Sequence, residues 1–520
     1  MHRVTAADPA FLFHCGEGVE RHRLPVGTRV IYPNSSVASV PDTNAAIEHA
    51  LDHPLGTDPL AGHLKSGMKV TIAFDDVSLP LPPMQKPDIR QRIIEILLDR
   101  LERAGVTDVE LICAICLHRR VTPAELRHIV GPAVFKRFWP DRLYNHDAED
   151  PEGNTHLGTT DQGEDVELNR RAVESDLLIY VNINLVSMDG GHKSVPVGLS
   201  TYKSVRHHHN AHTMLHDSSY MDPPASPFHR SCERMGAVVA QHLEIFTIET
   251  VLNGDAFSHL LGFMQKREHT WNLRDRLTYH GMSTGLKMVP FSIRRRLYGA
   301  LPAPYGLAAV NAGDTEQVHV QTLREVDRVY NVDIDGQADI LILGLPSIGP
   351  YNVHSILNPI LVQCMSAGYF FNFYRGRPLL RKGGVMIVVH PIHEKFHMVH
   401  HPSYYDFYHD CLPVSRDPVE LEKKFERSFA ENERYRDLYR HSHAYHGVHP
   451  FYMWYWGAHG MAHCGKIISV NPASERAARR IGFDVAPSFE SALGMAGEFT
   501  GPSAKMTYFH CPPIIMANLQ

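Results

Sequence analysis

The sequence predicts an α/β protein of two domains, with mostly parallel sheets and a ligand cleft between them. Three observations carry that expectation. Short apolar, β-branched runs alternate with stretches of helical periodicity, which is the pattern of βαβ units. That alternation starts twice, on either side of a basic and aromatic stretch near residues 258–307. At 520 residues the chain is too long for one ordinary core, so it is expected to divide near residue 330 into units 1–330 and 331–520.

The elements follow in order. "KVTIAFDDVSLPLPP" (Lys69 to Pro83) reads as a strand that ends in acidic and small residues. "DIRQRIIEILLDRLERAG" has apolar positions at helical spacing and ends at Gly105. "DVELICAICLHRR" is a second strand, and in "TPAELRHIV" Thr122 suits an N-cap, Pro123 the first helical position and Glu125 the first turn. "SDLLIYVNINLV" repeats the strand pattern. Ligands bind beyond the carboxyl ends of such strands, so Asp75, Asp76, His118 and Arg119 fall where a site is expected. After an irregular region, Ser258 to Leu307, "ADILILGLPSIGPYN" and "KGGVMIVVHP" are two more buried strands. "KIISVNPASERAARRIGFDVAPSFESALGMA" then reads strand, helix, short strand, helix.

Composition narrows the function. A net charge of −6, with no dense basic block beyond Arg294 to Arg296, lacks the footprint of a nucleic-acid binder and favours a small-molecule partner. No apolar run approaches the ~20 residues that cross a bilayer. The start of the chain lacks a secretory signal pattern, so a cytoplasmic location is expected. Eight scattered cysteines do not make a disulfide framework, and Cys113 and Cys116 read as buried strand thiols. Thirty-six histidines, several times ordinary usage, favour metal or acid/base chemistry.

The stretch "MDGGHKSVPVGLSTYKSVRHHHN" (Met188 to Asn210) sets a lysine behind Gly190, Gly191 and His192 and follows it with three histidines. Glycines allow backbone to approach a ligand, and Lys193 then acts as a phosphate clamp, a nucleophilic amine or simply a solvated turn lysine. His207, His208 and His209 point about 100° apart if helical, so only one of them meets the lysine's ligand. His208, His212 and His216 share i, i+4 spacing and suit a zinc face, although no glutamate completes a metalloprotease signature.

Several segments together resemble the nickel-dependent lactate racemase superfamily. They are "FDDVSLPLPP", "CLHRRVTPAEL", "NHDAED", "LGTTDQGEDVELNRRAVESDLLIYV", "GGHKSVPVGLSTYKSVRHHHN", "ETVLNGD" and "VNAGD". The resemblance covers about residues 30 to 250 well and 308 to 510 more loosely. It implies a racemase or epimerase that inverts a 2-hydroxy acid or related secondary alcohol by hydride transfer. The cofactor implied is a nickel pincer nucleotide (nickel pyridinium-3,5-bisthiocarboxylic acid mononucleotide) covalently attached at Lys193, with His209 as the nickel ligand. His118 would move the hydroxyl proton, with Arg119 beside it. Asp76, Ser78, Gly190, Gly191 and His192 would surround the nucleotide.

The departures are as informative. Leu79 stands where the family has an arginine for the substrate carboxylate, and Ile183 where it has a second catalytic histidine. Leu357 and Ile360 replace polar contacts of the second domain. Losing a bidentate clamp argues against lactate itself. Asp189, His192 and His354 are candidate second bases. The tract "HSHAYHGVHPFYMWYWGAHGMAHCGK" (His441 to Lys466) reads equally as a substrate-pocket lining or as an aromatic core segment. Two other functions stay open, a non-catalytic nickel- or nucleotide-binding homologue and a zinc hydrolase using the His208, His212 and His216 face. The oligomeric state is not legible.

Overall fold

The computed structural model describes residues 1–79, 83–512 and 514–520, so positions 80–82 of "FDDVSLPLPP" lie outside the described residues. Two sheets organise the chain. The first has six strands in the spatial order Leu307–Gly313, Ile245–Leu252, Leu177–Asn184, Lys69–Asp75, Asp108–Ala114 and Leu143–Asn145. All neighbours are parallel except Leu307–Gly313, which runs antiparallel along its edge. Every residue of Leu177–Asn184 is buried, as a central parallel strand covered on both faces requires. The register sets Asp75 beside Ala114, so the carboxyl ends of these strands open on one edge.

The second sheet has seven strands in the order His2–Arg3, Arg29–Ile31, Met506–Phe509, Ala338–Gly344, Leu380–Val389, Lys466–Val470 and Asp484–Ala486. Only His2–Arg3 is antiparallel. The mixed α/β class with mostly parallel sheets is therefore as expected. The sheets do not, however, part the chain once at residue 330. The first strands belong to the sheet of the C-terminal half, where Arg29–Ile31 pairs with Thr507–Phe509. Its three residues are too short for periodicity to have marked them as a partner for a strand so distant.

The helices follow their local signals. Ile89–Arg103 is capped by the Asp88 side chain and buries Ile93, Ile94, Leu97, Leu98 and Leu101. Gly105, at φ +74°, takes the left-handed backbone that ends it. Pro123–Val130 begins with a full capping box, Thr122 and Glu125 each satisfying the other's backbone N–H. The stretch expected to be irregular instead forms Leu273–Met288 and Phe291–Ala300. The first of these starts at an Asn272–Asp275 capping box but buries only Asp275 and Tyr279. With so narrow a buried stripe, helical periodicity is faint in the sequence.

In the tract from His441, His449–Trp456 is helical and buried at every position, followed directly by Ala458–His463. Cys113 and Cys116 are buried free thiols. No helix among the described residues is long and apolar enough to cross a membrane.

Candidate active site

A cavity of about 130 Å³ opens at the carboxyl edge of the first sheet. Lys69–Asp75 delivers Asp75 and Asp76, the turn after Asp108–Ala114 delivers His118, and Leu177–Asn184 delivers Asn182 and Ile183. The turn from Val186 to Lys193 forms one wall, and Pro350, Tyr351 and Tyr369 of the second half close the other.

His118 Nδ1–H donates to Asp76 Oδ2 at 2.9 Å, while Ser78 donates to Asp76 through its backbone N–H (2.8 Å) and its hydroxyl (3.0 Å). Burial alone would raise the Asp76 pKa, but the facing imidazole and the Ser78 donors outweigh it and hold the carboxyl below its usual range. Asp76 is thus a fixed carboxylate that orients His118 through Nδ1 and leaves Nε2 for another partner. Asp75 next to it is half-buried, accepts from Asn182 Nδ2 (3.0 Å) and the Ile183 N–H (2.7 Å), and has its pKa pushed up to about 6 by desolvation.

Lys193 lines the cavity, with Nζ 3.6 Å from Asp189 Oδ1. Asp189 in turn holds the turn shut by accepting from the Leu185 (3.0 Å) and Val186 (3.2 Å) N–H groups. Gly190 and Gly191 adopt φ of +83° and +61°. They were expected to let a nucleotide approach, yet their surroundings are protein. A Cβ at Gly190 would collide with the Glu249 carboxylate and the Asn184 side-chain oxygen, and one at Gly191 would lie 2.7 Å from the His319 ring. Gly191 N–H donates to Glu249 Oε1 at 2.6 Å, so the glycines seat the lysine turn on the sheet.

His209 shares a 2.7 Å hydrogen bond with His208, Nδ1 to Nδ1. Among the described residues this is the hydrogen bond His209 makes, so Nε2 stays available as a metal ligand. Its ring stacks on Trp456 (centroids 5.0 Å apart) and meets Tyr452 and Phe228. Burial holds its pKa well down, and His208, Lys193 and His118 all lie near enough to depress it further. Lys193 and His118 line the cavity, whereas His209 is not among its lining residues.

Other expected residues go elsewhere. Arg119 is 2% exposed and turns away from the cavity to a two-pronged pair with Glu125 (2.6 and 3.0 Å), so it braces the next helix instead of reaching the cavity. His192 packs against Gly236 of the Pro227–Val239 helix and is outside the cavity lining. His354 faces Glu125 at 3.6 Å on the exposed side. Of the three candidate second bases, only Asp189 lines the cavity, and Lys193 occupies it. The zinc face fails because Tyr202–Val205 ends before His208 and a new helix, Ala211–Met214, begins at the Asn210 cap. His208 is buried while His212 and His216 are exposed, so the three share no face.

The sequence reading missed Tyr351, Tyr369 and His449. His449 is buried with its ring centroid 5.4 Å from that of His118, and its Nδ1 lies 2.5 Å from the Tyr404 hydroxyl. No local signal marks them as partners of His118, because their proximity depends on how the second half packs on the first. The tract is thus both core and site wall, through His449 against His118 and Trp456 against His209.

Fold and site define an α/β protein built on two main sheets, with a lysine and a carboxylate-backed histidine lining one cavity and a second, aromatic-packed histidine outside that lining. Residues 17–222 match the family model described as the lactate racemase N-terminal domain. A lactate racemase of Lactiplantibacillus plantarum is 27% identical over 169 residues, 32% of this chain and 38% of that protein. One from Thermoanaerobacterium thermosaccharolyticum is 25% identical over 169 residues, 31% of this chain and 37% of its own. The aligned stretch thus spans little more than a third of either relative. Among solved structures, the lactate racemase apoprotein of T. thermosaccharolyticum superposes with a TM-score of 0.61 at 17% identity, over 98% of this chain and all of that one. A Thermotoga maritima protein gives 0.54 at 14%, over 93% of this chain and all of its own. These structural likenesses speak for the fold alone. The chain is thus similar to lactate racemases in its N-terminal part, and the fold of the whole is like that of a lactate racemase apoprotein.

Proposed function

We propose that the protein is a racemase or epimerase acting at the secondary alcohol carbon of a small molecule, a 2-hydroxy acid or a related alcohol, with a nickel pincer nucleotide attached at Lys193. The observation that carries the reading is that Lys193 and the Asp76-backed His118 line one cavity, with the charges of both reaching the buried His209. The donor set suits the group: a cavity-facing amine for attachment and an imidazole whose Nε2 is available for the metal, steadied from behind by His208. Small-molecule pockets usually measure ~300–1,000 Å³, so entry of a nucleotide requires the Tyr351 and Tyr369 wall to draw back. Bound, the cofactor supplies an acceptor for hydride that no side chain provides.

The chain's own residues handle the proton. His118 Nε2 takes the substrate hydroxyl proton while Asp76 stabilises the imidazolium that results. His449 beside it is a second imidazole, steadied by Tyr404, and takes the acid/base role that Ile183 has no side chain to fill. Lys193 is the one lysine or arginine among the described lining residues, and attachment of the cofactor uses it. A substrate carboxylate then meets no guanidinium among the described lining residues, whereas Asp75, Asp76 and Asp189 line the walls with three tyrosines and Asn182. The cavity favours an alcohol without an anchored carboxylate over lactate.

The test is intact mass and nickel content of protein produced alongside cofactor-synthesis enzymes, compared with Lys193→Ala. A lysine-dependent mass increment with nickel supports the reading; wild type and variant of equal mass overturn it. Interconversion of enantiomers across a panel of secondary alcohols, without solvent deuterium entering the carbon, then separates a catalyst from a binding homologue. His449→Phe should lower turnover while the adduct stays.

A further inference from the structure

A second cluster stands apart from the Lys193 cavity. Asp217, His459 and His463 each bring a ligand atom to within 4.8 Å of the others. His459 and His463 lie one turn apart on Ala458–His463 and are 3% and 6% exposed. Asp217 belongs to the exposed segment that follows Ala211–Met214.

Hydrogen bonds behind both rings fix which nitrogen is bare. Asn372 Nδ2 donates to the Gly368 carbonyl at 2.7 Å, which turns Asn372 Oδ1 toward His459 Nδ1 at 3.3 Å. That ring nitrogen therefore carries the hydrogen, and the His459 lone pair sits on Nε2, 3.2 Å from Asp217 Oδ1. Two acceptors face each other. His463 Nε2–H donates to the Leu380 carbonyl at 2.9 Å, which leaves Nδ1 with its lone pair buried and without a partner. Oxygens placed behind imidazoles to aim their bare nitrogens are the outer-shell arrangement of metal-binding histidines.

We propose that Asp217, His459 and His463 form a binding site for a zinc-class divalent ion, separate from the metal position read at His209. Two imidazoles and a carboxylate are a zinc ligand set, with solvent in the fourth position. The ion resolves the facing acceptors and gives His463 Nδ1 a partner. Lys382 Nζ, 3.8 Å from Asp217 Oδ2, is the competing cation and gives way to it. The ion would tie the segment after His209 to the helix after Trp456, and so brace the stack of those two rings.

The test uses full-length protein stripped with a chelator and then titrated with zinc chloride by calorimetry and with cobalt(II) by visible absorption. The wild type and His209→Ala should each bind one zinc ion at this site, with tetrahedral cobalt bands and a raised Tm. Asp217→Asn, an exposed change that leaves the core intact, should weaken zinc binding by about tenfold or more, and Asn372→Ala by ~10–100-fold through the outer shell. His463→Gln should abolish the cobalt bands. Zinc affinity unchanged in Asp217→Asn, zinc lost only in His209→Ala, or no zinc bound by the wild type would each overturn the proposal. None of these readouts depends on the racemase reading.

Discussion

His118 and Asp76 meet at 2.9 Å across two strand ends, and Ser78 holds the carboxylate from the other side with two donors. In the proposed mechanism this pair fixes the ring that takes the substrate proton. Asp76→Asn keeps the shape but removes the charge that stabilises a protonated His118. It should lower turnover by about 10²–10⁴-fold with little change in fold, as seen by kcat measured beside far-ultraviolet circular dichroism. Retained turnover would show that His118 needs no carboxylate.

Arg119 is a brace, and its variants should report on stability. Glu125, its partner, has its pKa drawn down to about 2; burial would raise it, but Arg119 and the Thr122 donors prevail. Arg119→Ala leaves a buried carboxylate unpaired and should cost about 3–5 kcal/mol in denaturant unfolding. Activity per folded molecule should survive. A variant that is stable but dead would return Arg119 to the chemistry.

Gly190 carries both kinds of constraint, a left-handed backbone and side chains of Glu249 and Asn184 where a Cβ would go. Gly190→Ala should destabilise by roughly 1–3 kcal/mol and displace the Lys193 turn. A lower Tm accompanied by loss of the lysine adduct is the expected pair of readouts.

Glu426 gives a pH signature. It is buried against Tyr455 (2.9 Å) and Tyr202 (3.2 Å), and desolvation raises its pKa to about 7. Folding therefore favours its protonated form. Its contribution is complete below the ordinary glutamate pKa and is lost as pH rises through about 7. Glu426→Gln should flatten that decline and stabilise the protein above neutrality by up to ~3 kcal/mol. Urea midpoints at pH 5 and pH 8 check it, and parallel pH dependence in both proteins would refute it.

Much of this was legible because local chemistry encodes it. Asp88, Thr122 and Gly105 end or begin helices through their own side chains or backbone, so those boundaries are written where they occur. The strand ends that carry Asp76, His118 and Lys193 follow from the rule that parallel sheets bind at their carboxyl edge. What was hidden depends on long-range packing. The placement of His449 against His118, the diversion of Arg119 to Glu125 and the packing of Gly191 on His319 each join residues whose meeting no periodicity records. The His208, His212 and His216 face was misread for a related reason. Spacing of four implies a common face only along an unbroken helix, and Asn210 starts a new one.

The pairing of Arg29–Ile31 with Thr507–Phe509 has a bearing on assembly. Arg29 also hydrogen-bonds Thr507 across 478 residues of chain. During synthesis the first of these strands emerges long before its neighbour exists, and loop closure over such a span comes late. The early strand must wait, with only His2–Arg3 beside it, until Thr507–Phe509 has been made. A polypeptide cut at residue 330 would therefore leave each fragment with a sheet edge made for the other, and the two should regain the native form only when mixed.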